Sequence, residues 1–224
     1  MSSAILKAYE DYDYGTISQA INAFTTVDVS AFYADVSKDR LYTFAAGSKE
    51  RRSAQTAMYV MADGLARLLA PILSFSADEL WQYLPGKREE SVHLALFPRS
   101  ADLDGLRDPD LVSRWDRLIK VREQVLAQIE PLRKDKQIGS SLQAKVVLSG
   151  GAADMELLKS RQRDLPMLFI VSDVELRDPL IPMIKDAGDL QITAEKAQGV
   201  KCERCWRCRE GLKQGVEEPI GQPK

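Results

Sequence analysis

Histidine occurs once in these 224 residues, as His93, and cysteine three times, all between Cys202 and Cys208. The lone histidine has no cysteine or aspartate companion at a meaningful spacing, so the sequence offers no nucleophile–base pair. Cysteines confined to seven residues are not the spread framework of a disulfide-stapled secreted protein. No apolar run approaches the roughly 18 residues that span a bilayer. The opening MSSAILKAYEDYDYG is acidic and lacks a long apolar centre, so it does not read as a signal peptide. A cytoplasmic protein without membrane contact is therefore expected. Neither G-x-x-x-x-G-K-[ST] nor G-x-G-x-x-G occurs, which removes the usual sequence case for a nucleotide pocket. There is no internal repeat, and no overall basic excess either. The net charge is −2, whereas free-standing nucleic-acid binders are usually more basic.

What the chain does have is a globular balance, with 45% hydrophobic and 29% charged residues. Its length allows one large domain, or one domain with smaller appendages. Positive charge is local. Lys38–Arg52, Arg114–Lys136 and Lys201–Lys213 each carry a net +3. Local patches set the field that an RNA phosphate meets. Taken singly, each patch also reads as a solvated helix face.

Periodicity makes the first part helical. Between Tyr9 and Tyr33, Ile17, Ala20, Ile21, Phe24, Val27, Phe32 and Tyr33 recur at mostly helical spacing. Over Ser53–Ala70 the stripe is Ala57, Val60, Met61, Gly64, Leu65, Leu68 and Leu69. Pro71 interrupts it. Ser76 then reads as an N-cap with Glu79 as its capping-box partner. The short run Val92-His93-Leu94 reads as extended. A long helix is expected from Asp110 to Arg133, with Trp115, Leu118, Ile119, Val125, Leu126 and Ile129 as its core stripe and Pro131 kinking its last turn. After Gly139 the pattern changes. Ala144–Leu148, Leu168–Val174 and Leu190–Ala194 read as strands and Asp154–Arg163 as a helix. The expected fold is mainly α: a helical bundle over residues 1–135, a small α+β unit over 136–198 and a short Cys-rich tail over 199–224.

Cys202 and Cys205 form a CxxC pair, and Cys208 extends it to CxxCxxC. Two thiolates at this spacing grip one zinc ion from a tight turn, and a structural site needs four ligands. Cys202, Cys205 and Cys208 are the metal candidates, with a redox pair or plain reduced thiols as the competing readings. Arg204, Trp206 and Arg207 put an aromatic ring among guanidinium groups, a platform for an unstacked base. Trp206 packing inward to fix the turn is the other reading.

Several segments together carry a family resemblance. The run from Tyr12 to Tyr59, APILSFSADELWQYLP (Ala70–Pro85) and SVHLALFP (Ser91–Pro98) resemble the anticodon-binding bundle of class I aminoacyl-tRNA synthetases. DVSKDRLY (Asp35–Tyr42), KQIGSSLQAKVVL (Lys136–Leu148) and GVKCERCW (Gly199–Trp206) resemble the bacterial isoleucine-specific branch. The resemblance implies contact with the anticodon stem and loop of isoleucine tRNA. It also implies partner catalytic and editing domains elsewhere in the protein, with ATP used only by the catalytic one. This chain alone is then expected to be inactive. Its RNA contacts are expected at Lys38, Arg40, Arg114, Arg117, Lys120, Arg204, Trp206 and Arg207. The family tail carries a second CxxC, for which GLKQGVEEPIGQPK has no counterpart, and Cys208 stands where similar sequences have an aromatic residue or histidine. A free-standing tRNA-binding module, a protein-interaction module and the equivalent region of a valine or leucine enzyme are the alternatives.

Overall fold

The computed structural model describes residues 1–106, 108–150, 152–177 and 190–211. The chain is mainly α and divides into two compact units, Met1–Arg107 and Asp108–Lys224. No helix among the described residues is long and apolar enough to cross a membrane.

In the first unit, α1 (Ser2–Glu10) and α2 (Tyr14–Ala23) pack with α4 (Lys49–Leu69) around Ile5, Ala8, Ile17, Ile21 and Leu68. Asp13 caps α2, its carboxylate accepting the Thr16 N–H at 3.0 Å and the Thr16 hydroxyl at 2.6 Å. Both bonds lower its pKa. The chain then widens into a π-helix over Phe24–Ala34 that buries no residue. The expected stripe therefore breaks down: Ile17 and Ile21 are buried, but Val27 is 61% exposed. A wider turn rotates side chains off the face that a 3.6-residue period keeps.

After the short α3 (Lys38–Tyr42), α4 starts a turn before its apolar stripe does. Ser48 is its cap, accepting the Arg51 N–H at 3.3 Å. The capping box expected at Ser76 and Glu79 is not formed. Helix α5 (Ser74–Tyr83) starts earlier, and the Ala77 N–H already bonds the Leu73 carbonyl at 2.8 Å. Packing decides this, because Ala77 and Trp81 must face Ala66, Ala70 and Val92. Val92–Leu94 is a 3-10 turn rather than an extended segment. The Asp78 carboxylate accepts the Ser91 hydroxyl at 2.7 Å and the Val92 N–H at 2.9 Å, and this curls the strap. The Trp81 indole N–H fastens the same strap at the Glu89 carbonyl, 2.9 Å away.

The second unit opens with α6 (Pro109–Lys134), capped by Asp108 with Pro109 in its first turn. Leu118, Val121, Val125 and Ile129 are its buried face, and the helix runs through Pro131 to Lys134. The sheet order is β2-β1-β3. Its central strand β1 (Ala144–Ser149) runs parallel to β2 (Asp173–Arg177) and antiparallel to β3 (Gln191–Lys196). Ala144, Val146 and Leu148 of β1 are wholly buried. Helices α7 (Ala152–Ser160) and α8 (Leu165–Phe169) make the crossover between the parallel pair.

The strand expected over Leu168–Val174 is half wrong. Its first residues belong to α8, and β2 starts only at Asp173. Leu165, Leu168 and Phe169 are buried at helical steps, with Pro166 in the first turn. Ile170 ends that helix with φ +57, a left-handed conformation. A short apolar run buried on all sides has no period with which to tell helix from strand.

Candidate nucleic-acid interface and cysteine knuckle

The cysteines sit on a small ribbon, β4 (Val200–Lys201) paired antiparallel with β5 (Cys208–Arg209). Gly199 begins it with φ +95, and a Cβ there would lie 2.2 Å from the Arg209 carbonyl oxygen, so only glycine fits. The Cys202 N–H donates to the Arg207 carbonyl at 2.8 Å, and the Trp206 N–H to the Cys202 carbonyl at 2.9 Å. The Cys208 N–H donates to the Ser172 hydroxyl at 2.6 Å, which ties the ribbon to the edge of the sheet.

Cys202 and Cys205 are buried and close enough to hydrogen-bond to one another. The Cys202 sulfur accepts the backbone N–H groups of Cys205 and Arg204, and the first of these does most to lower its pKa. Burial pushes the Cys205 thiol up. Two facing sulfurs, one bonded by backbone amides, fit half of a tetrahedral zinc site. Cys208 does not complete a group of three. Among the described residues no three His, Cys, Asp or Glu side chains converge as a metal would need.

The RNA candidates fall in three places. Lys38 and Arg40 lie on α3 of the first unit. The Lys38 side chain is 64% exposed and pairs with Asp35 at 2.7 Å, and Arg40 is half-buried. Arg114, Arg117 and Lys120 are exposed along α6. Arg114 bonds the Asp110 carbonyl at 3.2 Å, and Arg117 pairs with Asp154 of α7. On the knuckle, Arg204 and Trp206 are exposed, whereas Arg207 is turned inward at 9% exposure.

Trp206 is the most telling of these residues. It is 59% exposed, and it adopts φ +63, which a bulky side chain rarely does. The Lys201 ammonium lies 5.1 Å from its ring centroid. Sequence reasoning counted Lys201 only within a basic run, and its place on the ribbon beside the ring comes from the fold. The Arg114–Lys136 basic run also forms a groove that the sequence did not show. At the end of α6, Arg133, Lys134 and Lys136 line a groove of about 420 Å³ with Glu130, Ile138 and Gly139. The charge run was legible, but Lys136 joins it only because the chain turns there through φ +56.

Comparison with known proteins fits this arrangement. Residues 2–148 match the family model described as the anticodon-binding domain of tRNA ligase. The chain belongs to that family. It is 45% identical over 222 residues to the isoleucine--tRNA ligase of Syntrophotalea carbinolica, a match that covers 98% of this chain and 24% of that protein. Isoleucine--tRNA ligases of Natranaerobius thermophilus and Geobacter sulfurreducens are 41% and 39% identical, over 89% and 100% of this chain and 22% and 24% of theirs. The chain thus spans about a quarter of the length of the curated relatives it matches.

Proposed function

We propose that this chain recognises the anticodon stem and loop of isoleucine tRNA as part of an isoleucine--tRNA ligase. The observation that carries this reading is the extent of the likeness. It runs past the family model's limit at residue 148, through the sheet and into the knuckle, and the relatives concerned bear that one name. Lys38, Arg114, Lys120 and Arg204 supply phosphate contacts that position the RNA, and Trp206 stacks an unpaired base beside the Lys201 ammonium. Aminoacylation, editing and ATP use belong to partner domains of the whole ligase, in a cytoplasmic setting. Zinc at Cys202 and Cys205 has a structural part in this reading, holding the turn that presents Trp206.

The test is binding of the purified chain to isoleucine tRNA, to the same tRNA with an altered anticodon and to an unrelated tRNA. Preference for the native anticodon is expected. Equal binding to all three would sink the reading of this chain as a specificity module.

A further inference from the structure

The first unit holds a cleft that the tRNA reading does not use. It measures about 310 Å³ and lies between α4, α5 and the strap that follows α5. Asp63 and Arg67 of α4 and Arg88 of the strap form its floor, and Lys87 and Arg99 reach its edge. Arg67 pairs with Asp63, and Arg88 Nη1 stands 3.6 Å from the same carboxylate. Those side chains are only 24%, 18% and 11% exposed, in the order Arg67, Asp63, Arg88.

Arg88 is held firmly. Its guanidinium carbon lies 4.5 Å from the Trp81 ring centroid, and Nη2 donates to the Tyr59 hydroxyl at 3.0 Å and the Pro85 carbonyl at 2.7 Å. Arg67 Nη1 donates to the Leu96 carbonyl at 3.2 Å.

The charges at the floor do not balance. Two guanidiniums share one carboxylate, and arginine cannot relieve the excess by losing a proton. Three buried nitrogens there have no acceptor within hydrogen-bond distance: Arg67 Nε, Arg88 Nε and Arg88 Nη1, the last with Asp63 just beyond it. A water molecule would satisfy an N–H but would leave the charge uncompensated. The edges do not close the gap. Asp102 pairs with Arg99 at 3.1 Å and also feels the charge of Arg67, while the exposed Lys87 stands beside the exposed Glu89, so the lining carries four cations against three carboxylates. Hydrogen-bonding cations backed by an aromatic ring suit a compact oxyanion.

We infer that this cleft binds a phosphate group. The phosphate comes either from solution as the free ion or from an RNA backbone. The floor arginines supply the field, and Arg99 and Lys87 supply the contacts from the edge.

The test is thermal unfolding of the full chain in inorganic phosphate and in chloride at matched ionic strength. The first unit is followed through Trp81. A saturating rise in Tm with phosphate is expected, whereas general salt stabilisation would climb without saturating. Asp63→Asn removes the competing carboxylate and should lower the half-saturating phosphate concentration by roughly fivefold. Arg99→Gln should raise it. Asp63→Asn keeps the side chain's shape but loosens the Arg67 and Arg88 pairs, so each variant's Tm in phosphate is read against its own Tm in chloride. Identical unfolding in phosphate and chloride, for both the wild type and Asp63→Asn, would overturn the proposal.

A second arm separates the two sources. If phosphate displaces isoleucine tRNA, and does so at lower concentration in Asp63→Asn, the site takes an RNA phosphate. If tRNA binding is indifferent, it takes the free ion. The Tm arm needs no RNA, so it stands or falls apart from the tRNA reading.

Discussion

The two units bury different kinds of side chain. The second keeps Phe169, Leu118, Ile129, Leu148, Leu158, Leu165, Leu168 and Val125 almost wholly from water. Among its described residues the first has Ile5, Ile17, Leu68, Val92 and the single large ring of Trp81 in that state, and much of its remaining core is alanine: Ala8, Ala54, Ala66, Ala70 and Ala77. It also leaves Tyr12, Tyr42, Phe75, Tyr83 and Leu96 more than three-quarters exposed. Alanine lets helices approach closely but removes little apolar area from water, so each contact contributes less. In place of bulk, the first unit relies on polar fasteners, Asp78 on the strap and the Trp81 indole on Glu89. The second relies on a sheet clad with large aliphatic residues, with polar ties such as Arg122 to the Leu168 carbonyl at 2.9 Å at its margins and Ser172 holding the knuckle.

The sharpest test of this contrast is core truncation. Phe169→Ala should cost the second unit about 3–5 kcal/mol. Ala66→Gly, in a tightly packed helix of the first, should cost about 1 kcal/mol. Urea unfolding followed by fluorescence reports both, since Trp81 lies in the first unit and Trp115 and Trp206 in the second. Equal losses would dissolve the distinction.

RNA binding offers a second comparison. Trp206→Ala should weaken tRNA binding by about 1–3 kcal/mol with an unchanged salt slope, because stacking releases no counterions. Lys38→Gln should weaken it less and reduce the slope by about 0.7–0.9. A slope that moves with Trp206 and stays put with Lys38 would reverse the assigned roles.

Acid should bring the smallest effect, and it acts on both units. Hydrogen bonds from Arg177 and Lys145 lower the Glu175 carboxyl from 4.5 to about 2. The Ser91 hydroxyl and then the Val92 N–H lower that of Asp78. A folded pKa below the unfolded one means the stabilisation is whole above the unfolded value and is lost as pH falls through the folded value. Glu175 therefore gives its full share above about pH 4.5, and that share fades as pH drops toward 2. Glu175→Gln should flatten the acid loss of Tm in the second unit alone, and Asp78→Asn in the first alone. A single variant that flattens both would show that the units unfold as one.

Much of this was legible along the chain. The α4 and α6 helices, the β1 and β3 strands and the Cys202–Cys205 pair all announce themselves by period or spacing, although of the expected α4 stripe only Leu68 is buried, with Ala54 and Ala66 beside it. What failed did so for physical reasons. Ser76 and Glu79 have the spacing of a capping box, but the burial of Ala77 and Trp81 starts α5 earlier. Val92-His93-Leu94 looked extended until Asp78, from another element, captured its backbone. The Leu168–Val174 run is apolar enough for either state, and the left-handed turn at Ile170 divides it. At the site, Arg207 and Arg204 are alike as letters, yet the ribbon buries one and exposes the other.

By itself the sequence determined the helical class, the place where the pattern changes near Gly139, the tight turn that sets two thiols side by side, and the family. Those properties rest on neighbours within a few residues, where period, capping chemistry and short spacings act directly. Only the tertiary structure decided that Trp206 stands exposed beside Lys201, that Ser172 ties down the knuckle, and that two arginines share Asp63. Each of these depends on groups brought together by packing and backbone geometry, which no local pattern of residues encodes.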